Sequence, residues 1–326
     1  MQIFSRITGV GSAAPERVVT NEHFASYLDT SDEWIRERTG IEARRWCEPD
    51  VSASQLAEPA CRQAIESAGL TVEDIDGVVV ATVTPDYVFP STACFLQRRL
   101  GIARGLAFDV NAVCAGFVYA LTAADGLIRA RAATNILVVG VDIYSRIIDP
   151  NDRGTCILFG DGAGAVVLSA IDPASATGVS GDIRRVSGLY SAELCADGRY
   201  TDILCVPAGT ARPTTPESLA RGEHFLHMAG REVFKHAVRA LDEVTRRVLE
   251  AVDLQPADVD HFVSHQANKR ILQAMAKQLG VPEDRVPMNV QRYGNTSAAS
   301  IPLLLAECVH EWRVKEGDIV VLSAVG

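Results

Sequence analysis

Along the chain, apolar and polar positions fall into two alternating patterns. Runs such as DGVVVATVT (76–84), NILVVGV (135–141) and GDIVVLSAV (317–325) are apolar with few interruptions, as strands covered on both faces require. Between them, AEPACRQAIESAGL (57–70) and REVFKHAVRALDEVTRRVLEAV (231–252) repeat their apolar residues at helical spacing. The opening MQIFSRITGVGS predicts a strand entering a turn. The alternation as a whole predicts α/β layers.

The pattern also repeats. EDIDGVVVA (73–81) resembles ADVDHFVSH (257–265), NAVCAGFVYAL (111–121) lies on GNTSAASIPLL (294–304), and ILVVGV (136–141) lies on IVVLSA (319–324). The offsets are 184, 183 and 183 residues, which places Cys114 on Ser297. Three matches in one order predict two related α/β halves, residues 1–172 and 173–326. In the first half NILVVGV is followed by LFGDGAGAVVLSA, a glycine-rich turn and a further strand, so the repeat predicts that an equivalent turn and strand follow Gly326.

Composition narrows the functional classes. The 326 residues are 48% hydrophobic and 22% charged, a profile that supports a large core. No run approaches a membrane span, and the N-terminus lacks the features of a signal peptide, which predicts a cytoplasmic protein without a membrane partner. A net charge of -10 argues against nucleic-acid binding. The eight cysteines form no CxxC pair or zinc-ligand spacing, so no metal is expected. GVGSAA (9–14) does not open the helix of a dinucleotide site, and GDGAGA (160–165) runs straight into a strand without a Walker lysine.

One cysteine stands apart. Cys114 follows the strand-like LAFDVN and opens AGFVYALTAADGLIRA, a helix apolar around most of its circumference. A strand-to-helix turn of this kind exposes a thiol to unpaired N–H groups and a helix dipole, which predicts a bias toward thiolate. From local context alone, a packed core cysteine is an equal alternative. The repeat brings partners from the second half: His265 at the carboxyl end of a predicted strand, and Asn295 beside the position that mirrors Cys114. Convergence of the three in a crevice at strand carboxyl ends points to nucleophilic catalysis.

The segments LDTSDEWIRERTGI, VFPSTAC, FDVNAVCAGF, DRGTCILFGDGAGAVVL, MAGREVF, HQAN and GNTSAASIP, in that order, make the chain resemble the β-ketoacyl-acyl-carrier-protein synthase III family of thiolase-like condensing enzymes. The resemblance implies a thiolase-like, five-layered αβαβα fold. It implies that Cys114 takes an acyl group from an acyl-CoA, and that His265 and Asn295 bind the carbonyl of a malonyl-acyl-carrier protein. The product would be a 3-oxoacyl-carrier protein that starts fatty-acid synthesis, with coenzyme A present as a thioester substrate and no cofactor. One oxyanion donor would be the Cys114 amide, the other a residue beyond Gly326.

Further roles follow from matching positions. Thr30, Trp34, Arg38, Arg153 and Gly230 would hold coenzyme A, with adenine between Trp34 and Arg153. Read without the resemblance, Trp34 is a helix residue with a core or surface role and Arg153 a solvated loop charge. Tyr144, Leu158 and Met228 would line the acyl pocket, and Phe89 would reach a neighbouring pocket across a homodimer interface. Tyr144 is bulkier than expected, which suggests a short acyl group. Exposed cations at Arg231, Lys235, Arg239, Lys269, Arg270 and Lys277 would steer an acidic carrier protein; Lys235, Arg270 and Lys277 are its expected docking residues.

Two positions depart from the family pattern: Arg231 stands where asparagine is usual, and Cys195 where histidine is common. The stretch 171–190 is longer than expected. The rival function keeps the fold and Cys114 but delivers the acyl group to another acceptor, in specialised metabolism or as an ester or amide. A non-catalytic subunit is a third alternative.

Overall fold

A computed structural model describes residues 4–171 and 187–326. The boundary placed at 172/173, and most of the long stretch 171–190, lie outside the described residues.

The first half begins with β1 (Phe4–Ala13), β2 (Val18–Thr20), α1 (Asn21–Ala25), α2 (Asp32–Thr39) and β3 (Ala43–Arg45). It continues with α3 (Ala53–Ser67), β4 (Gly77–Ala81), α4 (Thr92–Leu100), β5 (Leu106–Val110), α5 (Gly116–Arg129), β6 (Asn135–Asp142) and β7 (Gly162–Ile171). The second half holds β8 (Leu204–Cys205), α6 (Pro216–Ala220), β9 (His227–Met228), α7 (Gly230–Glu250), β10 (His261–Ser264), α8 (Lys269–Leu279), α9 (Val290–Tyr293), α10 (Ser300–His310) and β11 (Val320–Ser323). β1, β7, β6, β4 and β5 form a mixed sheet in that order, with β5–β4–β6 parallel and β7 antiparallel to both its neighbours. β10 and β11 form a separate parallel pair.

Successive residues of a strand face opposite sides of its sheet, and here each side has its own core. Val78 and Val80 of β4, with Leu137 and Val139 of β6, pack against α3 and α4. Val79 and Ala81, with Ile136 and Val138, face α5 and α10 on the other side. Val263, Val320 and Leu322 of the second sheet reach the same two helices. Phe262 and Val321 point away from them, to α7 and α8. The order is therefore helix, sheet, helix, sheet, helix, and the uninterrupted apolar runs are strands buried on both faces.

The internal echo has a single offset of 184. Thr71 and Asp74 form a capping box, and so do Gln255 and Asp258. Asp76 accepts from the Asn135 amide as Asp260 accepts from that of Ile319. Val113 and Ser297, at φ 49° and 51°, each start a 3-10 turn ahead of a central helix. Cys114 thus corresponds to Ala298 and not to Ser297, and Asn135 rather than Ile136 corresponds to Ile319. String matching missed the shift because one apolar residue in a strand resembles the next, whereas caps and positive-φ turns are tied to one position.

Close approach at two glycines fixes the central helix against the first sheet. A Cβ at Gly140 would stand 2.2 Å from the Ala298 carbonyl oxygen, and one at Gly164 would stand 2.5 Å from Leu303 N. Gly140→Ala therefore has to displace the turn that precedes α10. We expect a loss of about 3 kcal/mol, in the upper range for overpacking, seen as a lower denaturation midpoint with an unchanged m-value.

Candidate active site

The 3-10 turn Val113–Ala115 ends β5 and leads into α5, which buries Cys114 to 4% exposure in the layer between the sheets. Gly326 packs against its amide nitrogen. Burial acts against the expected bias toward thiolate. Burial, with the nearby Asp142 carboxylate, pushes the thiol up to about 12, and the neighbouring Ser297 hydroxyl offsets this only in part. Desolvation disfavours a charged sulfur and so opposes the pull of the turn's dipole.

His265 follows β10 directly, and its amide donates to the Ser323 carbonyl of β11 at 2.8 Å. The ring is 2% exposed, and burial lowers its pKa to about 4, so it is neutral at pH 7. Its Nδ1 lies 2.7 Å from Ser300 Oγ, which also accepts from the Gln266 amide at 3.4 Å. The Ser300 hydroxyl can donate its proton to Nδ1 or accept one from it. In the tautomer where Ser300 donates, Nε2 carries the ring hydrogen and is the donor left over. Ser300 was not picked out from the sequence; it is the first residue of α10, directly after the 3-10 turn Ser297–Ala299, and no motif marks it.

Asn295 is held by its backbone against the first half. Its N–H donates to Leu158 O at 2.8 Å and its carbonyl accepts from Gly160 N at 3.0 Å. The side-chain Oδ1 accepts from Ser297 N at 2.9 Å, which leaves Nδ2 as the free donor. Cys114, His265 and Asn295 all line one cavity of about 1320 Å³ that Phe159 and Met228 also border.

The other expected site residues fall into three places. Ser31 caps α2 by accepting from Trp34 N, which sets the start of that helix, and Trp34 is half-buried on it. The guanidinium carbons of Arg38 and Arg153 each lie 4.7 Å from the Trp34 ring centroid. Arg153 also bonds the Asp29 carbonyl. Thr30 Oγ1 is shielded from solvent without a hydrogen-bond partner. Gly230 is exposed at the first position of α7.

Tyr144, Leu158 and Met228 share one apolar cluster, in which Tyr144 stacks on Phe159 with centroids 4.6 Å apart and planes at 9°. Phe89 is apart from them, 81% exposed beside Tyr87 and Val88. Lys235, Arg239 and Arg231 on α7, and Lys269, Arg270 and Lys277 on α8, are all exposed. Cys195 is exposed and lies 3.5 Å from Glu193 and 3.7 Å from Arg247. Among the described residues no group of three His, Cys, Asp or Glu side chains could hold a metal ion, and no helix is long and apolar enough to cross a membrane.

Family models match the chain twice: 3-oxoacyl-[acyl-carrier-protein (ACP)] synthase III over residues 108–182, and the C-terminal part of the same synthase over residues 249–326. A β-ketoacyl-[acyl-carrier-protein] synthase III from Thioalkalivibrio sulfidiphilus is 48% identical over 323 residues, covering 99% of this chain and 96% of that protein. The crystal structure of the Pseudomonas aeruginosa PAO1 3-oxoacyl-(acyl carrier protein) synthase III superposes with a TM-score of 0.88 at 41% identity, covering 99% and 94% of the two chains. That of the Aquifex aeolicus VF5 synthase gives 0.87 at 40% identity, covering 99% and 96%. Identity at this level over nearly the whole of both chains, on the same layered fold, means that the chain belongs to the β-ketoacyl-[acyl-carrier-protein] synthase III family.

Proposed function

We propose that the chain catalyses decarboxylative condensation of a short acyl-CoA, such as acetyl-CoA, with malonyl-acyl-carrier protein, releasing a 3-oxoacyl-carrier protein that initiates fatty-acid synthesis. The observation that carries this reading is that a neutral, buried His265 and the side-chain amide of Asn295 line the same cavity as the thiol; Asn295 Nδ2–H and, with Ser300 donating to Nδ1, His265 Nε2–H would be its two donors. Loss of carbon dioxide from a malonyl thioester leaves an enolate. Two preoriented donors at its oxygen lower the barrier to forming it, and neutral donors do so without protonating the carbanion.

The steps are simple in outline. Cys114 attacks the acyl-CoA carbonyl, coenzyme A leaves, and the acyl group stays on sulfur. Malonyl-carrier protein then binds with its thioester oxygen at His265 and Asn295, decarboxylates, and its carbanion attacks the acyl-Cys114 carbonyl. Thr30, Trp34, Arg38, Arg153 and Gly230 would bind coenzyme A, whose adenine would stack on Trp34. The Arg153 guanidinium already covers that ring, so the nucleotide has to displace it or slide beneath it. Tyr144, Leu158 and Met228 would bound the acyl group, and the filled Tyr144–Phe159 stack favours a short one. Phe89, exposed with its apolar neighbours, would be covered by a second copy of the chain. Lys235, Arg270 and Lys277 would dock the acidic carrier protein. The whole would operate in the cytoplasm without a cofactor.

A coupled assay with acetyl-CoA and malonyl-carrier protein tests this reading. Free coenzyme A, carbon dioxide and 3-oxobutanoyl-carrier protein should appear in equal amounts. Coenzyme A release with an ester or amide as product would instead favour transfer to another acceptor.

A further inference from the structure

At the offset of 184 the two sheets differ in one place. β10 corresponds to β4 and β11 to β6, and each pair is parallel. In the first half β4 also pairs with β5, from Gly77↔Leu106 to Ala81↔Val110, and that ladder carries the chain to the Cys114 turn. The corresponding residues of the second half form no strand. They form α9, a single turn of four residues that ends at Gly294, with Asn295 directly after it. A helix this short has little stability of its own and takes its place from tertiary contacts. Its N-cap residue Asn289 makes no side-chain capping bond and is turned instead to Glu307.

Gln266 stands in the place of the missing ladder. It follows His265 in the chain and is 1% exposed. Its Oε1 accepts from Asn289 N at 3.0 Å and from Val290 N at 3.3 Å, the amides at the head of α9. Its Nε2 donates to Ser264 O at 2.9 Å, at the end of β10, and to Pro287 O at 3.4 Å, in the segment that leads to α9. Two N–H groups at one end and two carbonyls at the other fix the orientation of the amide, and all four of its hydrogen-bonding positions are taken. Its backbone N–H donates to Ser300 Oγ, the hydroxyl that also bonds the His265 ring. Gln266 does not itself border the cavity.

We propose that Gln266 is a positioning residue that sets the spacing between His265 and Asn295, its side chain holding α9, and through it Asn295, to the end of β10. This rests on the reading that His265 and Asn295 bind one thioester oxygen. Cys114 is placed by the first-half ladder and does not depend on this tie. Loosening α9 should therefore disturb the condensing half-reaction and spare acylation. The other end of the helix keeps its own anchors, the Tyr293 hydroxyl on Glu307 at 2.8 Å and the Asn295 backbone on Leu158 and Gly160. Without Gln266 the turn should shift and not unravel.

Gln266→Met keeps the length and burial of the side chain but removes all four of its bonds. Two single-turnover rates are measured: acylation of Cys114 by acetyl-CoA, and discharge of preformed acetyl-Cys114 by malonyl-carrier protein. Discharge should drop about 10- to 100-fold, as a displacement of about 1 Å between reacting groups can cause, with acylation within a few-fold of wild type. Amide hydrogen exchange should speed up in peptides spanning 287–295 and stay unchanged in those of β4 and β5. Gln266→Asn, which keeps the amide but is one methylene short, serves if the first variant fails to fold. Both rates falling together, or a folded variant in which neither falls, would overturn the proposal. If the wild-type chain gives no discharge at all, exchange decides alone. Faster exchange confined to 287–295 would keep the tie and discard the condensation, and unchanged exchange would overturn the tie as well.

Discussion

Cys114→Ala is expected to abolish covalent acylation and condensation together, while Cys195→Ala leaves both within a few-fold of wild type. The difference is one of position. Cys114 is buried at the head of α5 and borders the cavity that contains His265 and Asn295. Cys195 is exposed, with its sulfur beside Glu193 and Arg247. In the proposed mechanism the thiol of Cys114 supplies the covalent step, and alanine offers no substitute atom. Alanine is also smaller than the side chain it replaces and leaves the turn intact, so circular dichroism and the thermal midpoint should stay near wild type. Peptide mapping after incubation with acetyl-CoA reads the result. An adduct retained in Cys114→Ala would place the nucleophile elsewhere.

His265→Ala and Asn295→Ala should separate the two half-reactions. Each is expected to cost about 100- to 1000-fold in condensation, the range for removing one donor at a developing oxyanion, with acylation of Cys114 changed much less. The pH dependence should separate them too. Burial lowers His265 to about 4, so the neutral donor persists throughout pH 5–8. Discharge of preformed acyl-Cys114 should therefore show no histidine limb in that window and should fall only as pH drops toward 4. Single-turnover rates across pH give the answer. A midpoint near the ordinary histidine value would mean that His265 is not held neutral.

Much of this arrangement was legible in the residues. The strand runs around 76–84 and 135–141 and the two long helical stretches match β4, β6, α3 and α7, because burial on both faces and helical amphipathicity each leave a periodic trace. The doubled pattern was visible, but its offset was one residue short at two of three places. Apolar strand residues are interchangeable to a reader of strings, while the positive φ at Val113 and Ser297 that fixes the true alignment belongs to the backbone. The trio Cys114, His265 and Asn295 could be named from the resemblance and the repeat.

What lies behind that trio could not be read. Ser300 and Asp142 are 158 residues apart in the chain and carry no motif, yet one bonds the His265 ring and the other accepts from Ala298 N in the turn before α10. The desolvation of Cys114 could not be read for a related reason. The helix dipole is apparent from the order of elements, whereas the degree of desolvation is a property of the packed layers.

The central claim is that Cys114 carries an acyl group which a malonyl-carrier protein removes with formation of a carbon–carbon bond. Intact mass of the chain after acetyl-CoA, and again after adding malonyl-carrier protein, tests it most directly. The account predicts a single acetyl adduct that maps to Cys114 and then disappears as the carrier gains a 3-oxobutanoyl group. An adduct that persists beside unchanged malonyl-carrier protein, or no adduct with any short acyl-CoA, would contradict it.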